Sequence, residues 1–137
     1  MAIEFNSFQT AFKLSNPKKT SAWIERVIRA EKSRLASLSY VFCSDRYLLK
    51  INQEYLDHDT LTDIITFDYS DSSSIEGEIY ISVPRVRENA RLLRTDFESE
   101  LHRVIIHGVL HLLGYRDKTS SEKTLMRSME EKYLRKL

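Results

Sequence analysis

Short apolar runs alternate along this chain with longer stretches whose apolar residues recur every three or four positions, the signatures of strands and amphipathic helices respectively. Ile3 to Asn6 reads as a first short strand. Asn16 then caps and Pro17 opens a helix whose apolar residues Trp23, Ile24, Val27 and Ile28 fall on one face, a stripe that reads as core. Leu38 to Cys43 reads as a second strand, and Asp45 caps a helix to about Tyr55. Asp63 to Tyr69 and Glu76 to Val83 read as two more strands around a polar loop. Pro84 opens a helix to about Arg94. The next helix, from about Phe97 to Leu113, contains the run VIIHGVLHLL, apolar all round except for two histidines, which suits a buried central position. A charged amphipathic helix from about Ser120 closes the chain.

The first two strands flank a helix of crossover length, so they are expected to pair in parallel within a mixed sheet. The predicted fold class is α/β (α+β): one small domain, residues 1–137, with a mixed four-stranded sheet packed against helices. At 137 residues and 42% hydrophobic the chain supports one core and leaves no room for a second. No internal repeat or low-complexity linker divides it. No apolar run reaches the roughly 18 residues of a membrane span. The opening MAIEFNSF lacks a basic region followed by an apolar core, so a cytoplasmic location without membrane contact is expected. Cys43, the single cysteine, sits in an apolar run and reads as a buried, inert thiol.

Charge adds a polarity that the net value of +1 hides. Residues 83–137 carry 12 Lys/Arg against 8 Asp/Glu, whereas residues 44–78 carry 2 against 9. Arg85, Arg87, Arg91 and Arg94 recur at helical spacings and form either a basic face or an ordinary solvated one. The acidic middle, with Asp57, Asp59 and Asp63, repels a polyanion unless it points away or holds a cation.

The candidate chemistry is concentrated in His107 to Asp117. Two histidines four apart share a helix face, so both imidazoles reach one ion; Gly114 suits the left-handed turn that ends a helix and lets Asp117 return to the same point. Two imidazoles and a carboxylate suit Zn²⁺ best, with other divalent transition metals also accommodated, and three ligands leave a position open. Histidines on apolar helices are also often satisfied by backbone carbonyls. In this run, however, two unpartnered rings would cost about 1 to 3 kcal/mol each, which favours the metal. The spacing has the outline of the zinc peptidase motif H-E-x-x-H-x-x-G-x-x-H, but Gly108 stands where that motif places its general base, so peptide hydrolysis is disfavoured.

The segment HGVLHLLGYRD resembles the signature of the YbeY family of bacterial metal-dependent endoribonucleases. Ile51-Asn-Gln-Glu-Tyr55, Leu61 to Phe67, Gly77 to Ser82, and Met126 with Glu130 resemble further blocks of that family in the same order. The resemblance implies a small α/β fold with the metal helix at its centre, and His107, His111 and Asp117 on the metal. It implies single-strand-specific cleavage of RNA in ribosomal RNA maturation, with the small ribosomal subunit as a partner and no DNA substrate. Two departures stand out. Asp117 occupies a ligand position more often held by histidine, and Leu56 occupies one where the family commonly carries a substrate-facing arginine.

With Leu56 uncharged, Arg116, Arg85 and Lys118 are the candidate cations, and Arg116 is the expected catalytic one, stabilising charge on the phosphate. His58 is the candidate general acid or base. Glu100, two turns before His107, is a candidate hydrogen-bond partner for a ligand imidazole, and His102 is expected to have no role. Two alternatives remain open: a metal hydrolase of another amide or phosphate ester, and a ribosome-associated binding protein with a structural metal.

Overall fold

The computed structural model describes residues 2–57 and 61–137. Four strands and five helices follow in the order β1 (Ile3–Phe8), α1 (Pro17–Ala30), β2 (Leu35–Cys43), α2 (Asp45–Leu56), β3 (Ile64–Asp68), β4 (Ile75–Ser82), α3 (Val83–Leu92), α4 (Phe97–Leu112) and α5 (Ser120–Leu134). The strands form one mixed sheet in the order β1-β2-β4-β3. β1 runs parallel to β2, as its crossover helix requires, and β2 parallel to β4, whereas β3 pairs antiparallel with β4 and forms an edge.

Strand alternation divides the core between the two faces of the sheet. Tyr40, Phe42, Ile79 and Ile81 turn towards α1 and α4 and join Trp23, Ile24, Leu101 and Ile105 in the main core. Their neighbours on the opposite face meet α2 in a smaller cluster of Cys43, Leu48, Ile51 and Ile65. Burial pushes the Cys43 thiol up to about 12, with Asp45 adding to the effect, so this cysteine is the inert residue expected.

α4 lies close against the sheet. A Cβ on Gly108 would come within 2.8 Å of Ile79 Cδ1 and 3.1 Å of Ile64 Cδ1. That contact accounts for Gly108: the position faces packed isoleucines, and even a methyl group there requires Ile79 to shift. The Tyr40 hydroxyl donates to the Ile105 carbonyl at 3.0 Å and fixes the helix along its axis. α5 packs on α4 from outside, and Trp23 Nε1 donates to the Tyr133 carbonyl at 2.8 Å, tying α1 to the end of the chain.

Several helix starts differ from expectation by one residue or in mechanism. Asn16 precedes α1, but it is left-handed at φ 53° and makes no side-chain cap. Ser44, not Asp45, caps α2 by accepting the Tyr47 N–H, because the Asp45 carboxylate is drawn away to Arg85 Nη2 at 2.7 Å and the Ser82 hydroxyl at 2.8 Å. Ser82 caps α3, with Pro84 inside its first turn. Asp96 caps α4, and Thr119 and Glu122 form a reciprocal capping box at α5. The arginine series on α3 is largely engaged with neighbours: Arg85 with Asp45, Arg91 with Glu88, and Arg87 over the Phe97 ring. No helix among the described residues is long and apolar enough to cross a membrane.

Candidate metal centre

Helical geometry brings His107 and His111 together one turn apart on α4, with ring centroids 4.5 Å apart and planes at 83°. The helix then ends by local means. Gly114 adopts φ +104°, its N–H bonds the His111 carbonyl, and the Tyr115 N–H bonds the Leu110 carbonyl. A Cβ on Gly114 would meet nothing within 4 Å, so glycine is needed there for backbone conformation and not for space. The turn returns Asp117 to the helix, where its Oδ2 lies 3.3 Å from His107 Nε2 and 3.3 Å from His111 Nε2.

Those separations fit one metal ion. A tetrahedral site with ligand distances of about 2.0 to 2.1 Å has edges of about 3.3 Å. Donor atoms of all three residues lie within 4.8 Å of one another, and this is the one such group of three among the described residues. The far side of each ring is also held. His111 Nδ1 donates to the Tyr115 carbonyl at 3.0 Å. A carbonyl only accepts, so Nε2 keeps its lone pair for a ligand bond. His107 Nδ1 bonds Glu130 Oε2 at 2.6 Å, and the other oxygen of that buried carboxylate accepts from Arg103 Nη1 at 2.9 Å. Carboxylate and carbonyl partners of this kind set the tautomer and raise the basicity of ligand imidazoles.

The partner expected in Glu100 is thus Glu130. Glu100 is buried beside Arg103, 3.8 Å from its Nε, and its Oε1 accepts no hydrogen bond from a described residue. Burial raises the Glu100 carboxyl pKa. For His107, burial alone would lower the pKa, but the Glu130 hydrogen bond and charge, followed by Asp117 and Asp63, outweigh it and hold the imidazole above its ordinary value. Asp63, half-buried nearby, has its carboxyl pushed up chiefly by desolvation, and its Oδ2 accepts from Asn89 Nδ2 at 3.4 Å.

A further support arises far away in sequence. The Tyr115 hydroxyl donates to Glu31 Oε1 at 2.6 Å, and the Tyr133 hydroxyl donates to Glu31 Oε2. The Glu31 hydrogen bond pushes the Tyr115 hydroxyl up to about 12. One carboxylate at the end of α1 therefore holds the residue whose carbonyl orients His111. The Gly-Tyr pair in the motif was the only trace of this in the sequence.

The three candidate ligands open into a cleft lined also by Asn52, Leu56, Thr62, Asp63, β3 and Lys118. Leu56 is in the wall, so this side of the cleft carries an uncharged side chain. Of the candidate cations, Lys118 lines the cleft, Arg116 is exposed on the same loop, and Arg85 is bound to Asp45 on another part of the surface. His102 Nδ1 contacts the Glu98 carbonyl at 2.7 Å, and the residue does not line the cleft. His58 and Asp59 lie outside the described residues.

The family described as Endoribonuclease YbeY matches residues 4–137. A relative of that description from Flavobacterium psychrophilum is 49% identical over 133 residues, covering 97% of this chain and 94% of its own. Another from Amoebophilus asiaticus is 54% identical over 124 residues, covering 90% and 84%. Among solved structures, the solution structure of TM1509 from Thermotoga maritima superimposes with a TM-score of 0.69 at 27% identity, covering 96% of this chain and 86% of that one.

Proposed function

The chain belongs to the YbeY family, and on that premise we propose that it is a metal-dependent endoribonuclease cleaving single-stranded RNA, with ribosomal RNA as substrate. The observation that carries the reading is the convergence of Asp117 on both Nε2 atoms at a tetrahedral edge distance, within a surface cleft. His107, His111 and Asp117 would hold the ion, and zinc suits two imidazoles and a carboxylate best. When bound, the ion supplies positive charge and Lewis acidity beside the scissile phosphate.

The protein's own groups do the rest. Glu130 and the Tyr115 carbonyl keep both imidazoles in the ligating tautomer. Lys118 and the exposed Arg116 would supply the cations that offset negative charge building on the phosphate, since Leu56 brings none. This places phosphate contact on the loop that follows the metal helix. His58 is proposed as a proton carrier. A cytoplasmic location and contact with the small ribosomal subunit complete the proposal, since ribosomal RNA is found there.

The test is metal analysis of the purified chain followed by cleavage of single-stranded RNA with and without chelator. Cleavage that stops with chelator and returns with zinc is expected. Undiminished cleavage by metal-free protein overturns the metal reading, and inert RNA beside another phosphate ester that is cleaved overturns the substrate.

A further inference from the structure

The cleft beside the three candidate ligands is walled by β3, the edge strand of the sheet, whose outer side pairs with no other strand among the described residues. Its lining includes Leu56 from α2 on one face of the sheet and His107 from α4 on the other, with β3 between them, so it runs along the β3 edge. The hydrogen bonds at the two ends of the β3–β4 pairing fix which groups face outward. The Ser82 N–H bonds the Asp63 carbonyl at 2.9 Å and the Tyr69 N–H bonds the Glu76 carbonyl at 2.8 Å, with unbroken register between them. Odd-numbered residues therefore pair with β4, while Ile64, Thr66 and Asp68 turn their N–H and C=O groups away from it into the cleft. The Ile64 carbonyl is taken by the Thr62 hydroxyl, which makes Thr66 the central residue of the open edge.

We infer that this edge is the base-reading wall of the substrate site, with the Thr66 N–H and C=O forming hydrogen bonds to the edge of an unpaired RNA base next to the scissile phosphate. The inference rests on RNA being the substrate. Charge decides the orientation. Asp63 and Asp68 lie on the β3 side and Lys118 on the loop, so a sugar-phosphate backbone is repelled from β3 and drawn to the loop, which turns the bases towards the strand. Base edges carry both donors and acceptors, as an open strand edge does, and unstacked bases are read in this way in single-stranded RNA. A base paired in a duplex has its Watson–Crick edge occupied and its other edges recessed in the grooves, so the same wall would select single strands.

The test uses the metal-loaded full chain. Thr66→Pro removes only an outward N–H, since no ladder bond depends on it and edge strands accept proline. It is expected to raise KM for single-stranded RNA about tenfold, the equivalent of one lost hydrogen bond to a base. The preference at one nucleotide position should flatten and the loss should fall on KM more than on kcat, whereas Thr66→Ala, which keeps the backbone N–H, should retain that nucleotide preference. Should Thr66→Pro fail to fold, wild type is offered RNA with single abasic sites; one position near the cut should show the same loss. An unchanged KM in folded Thr66→Pro, or abasic RNA cleaved as well as intact RNA, overturns the inference. Wild type that cleaves no RNA at all removes its premise instead, so the two failures are distinguishable.

Discussion

Glu130 Oε2 lies 2.6 Å from His107 Nδ1, although the two residues sit on different helices and are separated by 23 positions. The bond makes α5 part of the candidate metal centre. Replacing Glu130 with Gln keeps the size but removes the charge, and it should weaken zinc binding about 10- to 100-fold, in line with other buried partners of ligand histidines. Competition with a chromophoric chelator would read this directly. Unchanged affinity would show that Glu130 only packs.

The same pair sets a pH dependence. Metal binding needs neutral His107, and its pKa is held above the ordinary value by Glu130, Asp117 and Asp63 against the opposing effect of burial. Zinc affinity should therefore begin to fall with decreasing pH above about pH 6.5, and in Glu130→Gln the onset should move lower. The metal-free protein behaves in the opposite sense. A raised folded-state pKa means that the stability from this pair is full below the unfolded imidazole pKa and is lost as pH rises through the folded one. Thermal melts of metal-free wild type and Glu130→Gln across this range should show their difference shrinking as pH rises.

Glu31 offers a paired comparison. Tyr115→Phe and Tyr133→Phe each remove one hydroxyl from the same carboxylate, and each should cost about 1 to 3 kcal/mol in denaturant melts. Only Tyr115 carries the carbonyl that holds His111. Zinc affinity should therefore drop in Tyr115→Phe and stay near wild type in Tyr133→Phe. Equal affinities in the two variants would remove Glu31 from any role at the metal.

Gly108 tests how closely α4 must approach the sheet. Alanine gains about 1 kcal/mol of helix propensity but puts a Cβ into the Ile79 contact, where overpacking costs about 1 to 3 kcal/mol. A net destabilisation of about 1 kcal/mol is expected by urea melts. Gly108→Glu, which would restore the peptidase sequence, should fail to fold or displace the helix, because its carboxylate would enter packed isoleucines.

The parts legible in the sequence were those whose causes lie close together. His107, His111, Gly114 and Asp117 are bound by one helix turn and one glycine turn, so eleven residues sufficed to bring the three candidate ligands together. The mixed sheet followed from the crossover between β1 and β2. What stayed hidden depends on distant partners. Asp45 has the right chemistry for a cap, yet Arg85, forty positions on, draws its carboxylate away. Glu100 lies nearer to His107 in sequence than Glu130 does, but α5 brings Glu130 to the ring. The arginines of α3 looked like a series until Asp45, Phe97 and Glu88 engaged three of them.

The ligands themselves are local, whereas the residues that aim them are not: Glu31 lies at the end of α1, and Glu130 on the final helix. A nascent chain can display His107, His111 and Asp117 before it can orient them. Tight metal capture would then mark the moment at which both ends of the polypeptide have docked onto α4, and an incompletely assembled molecule would hold the ion poorly.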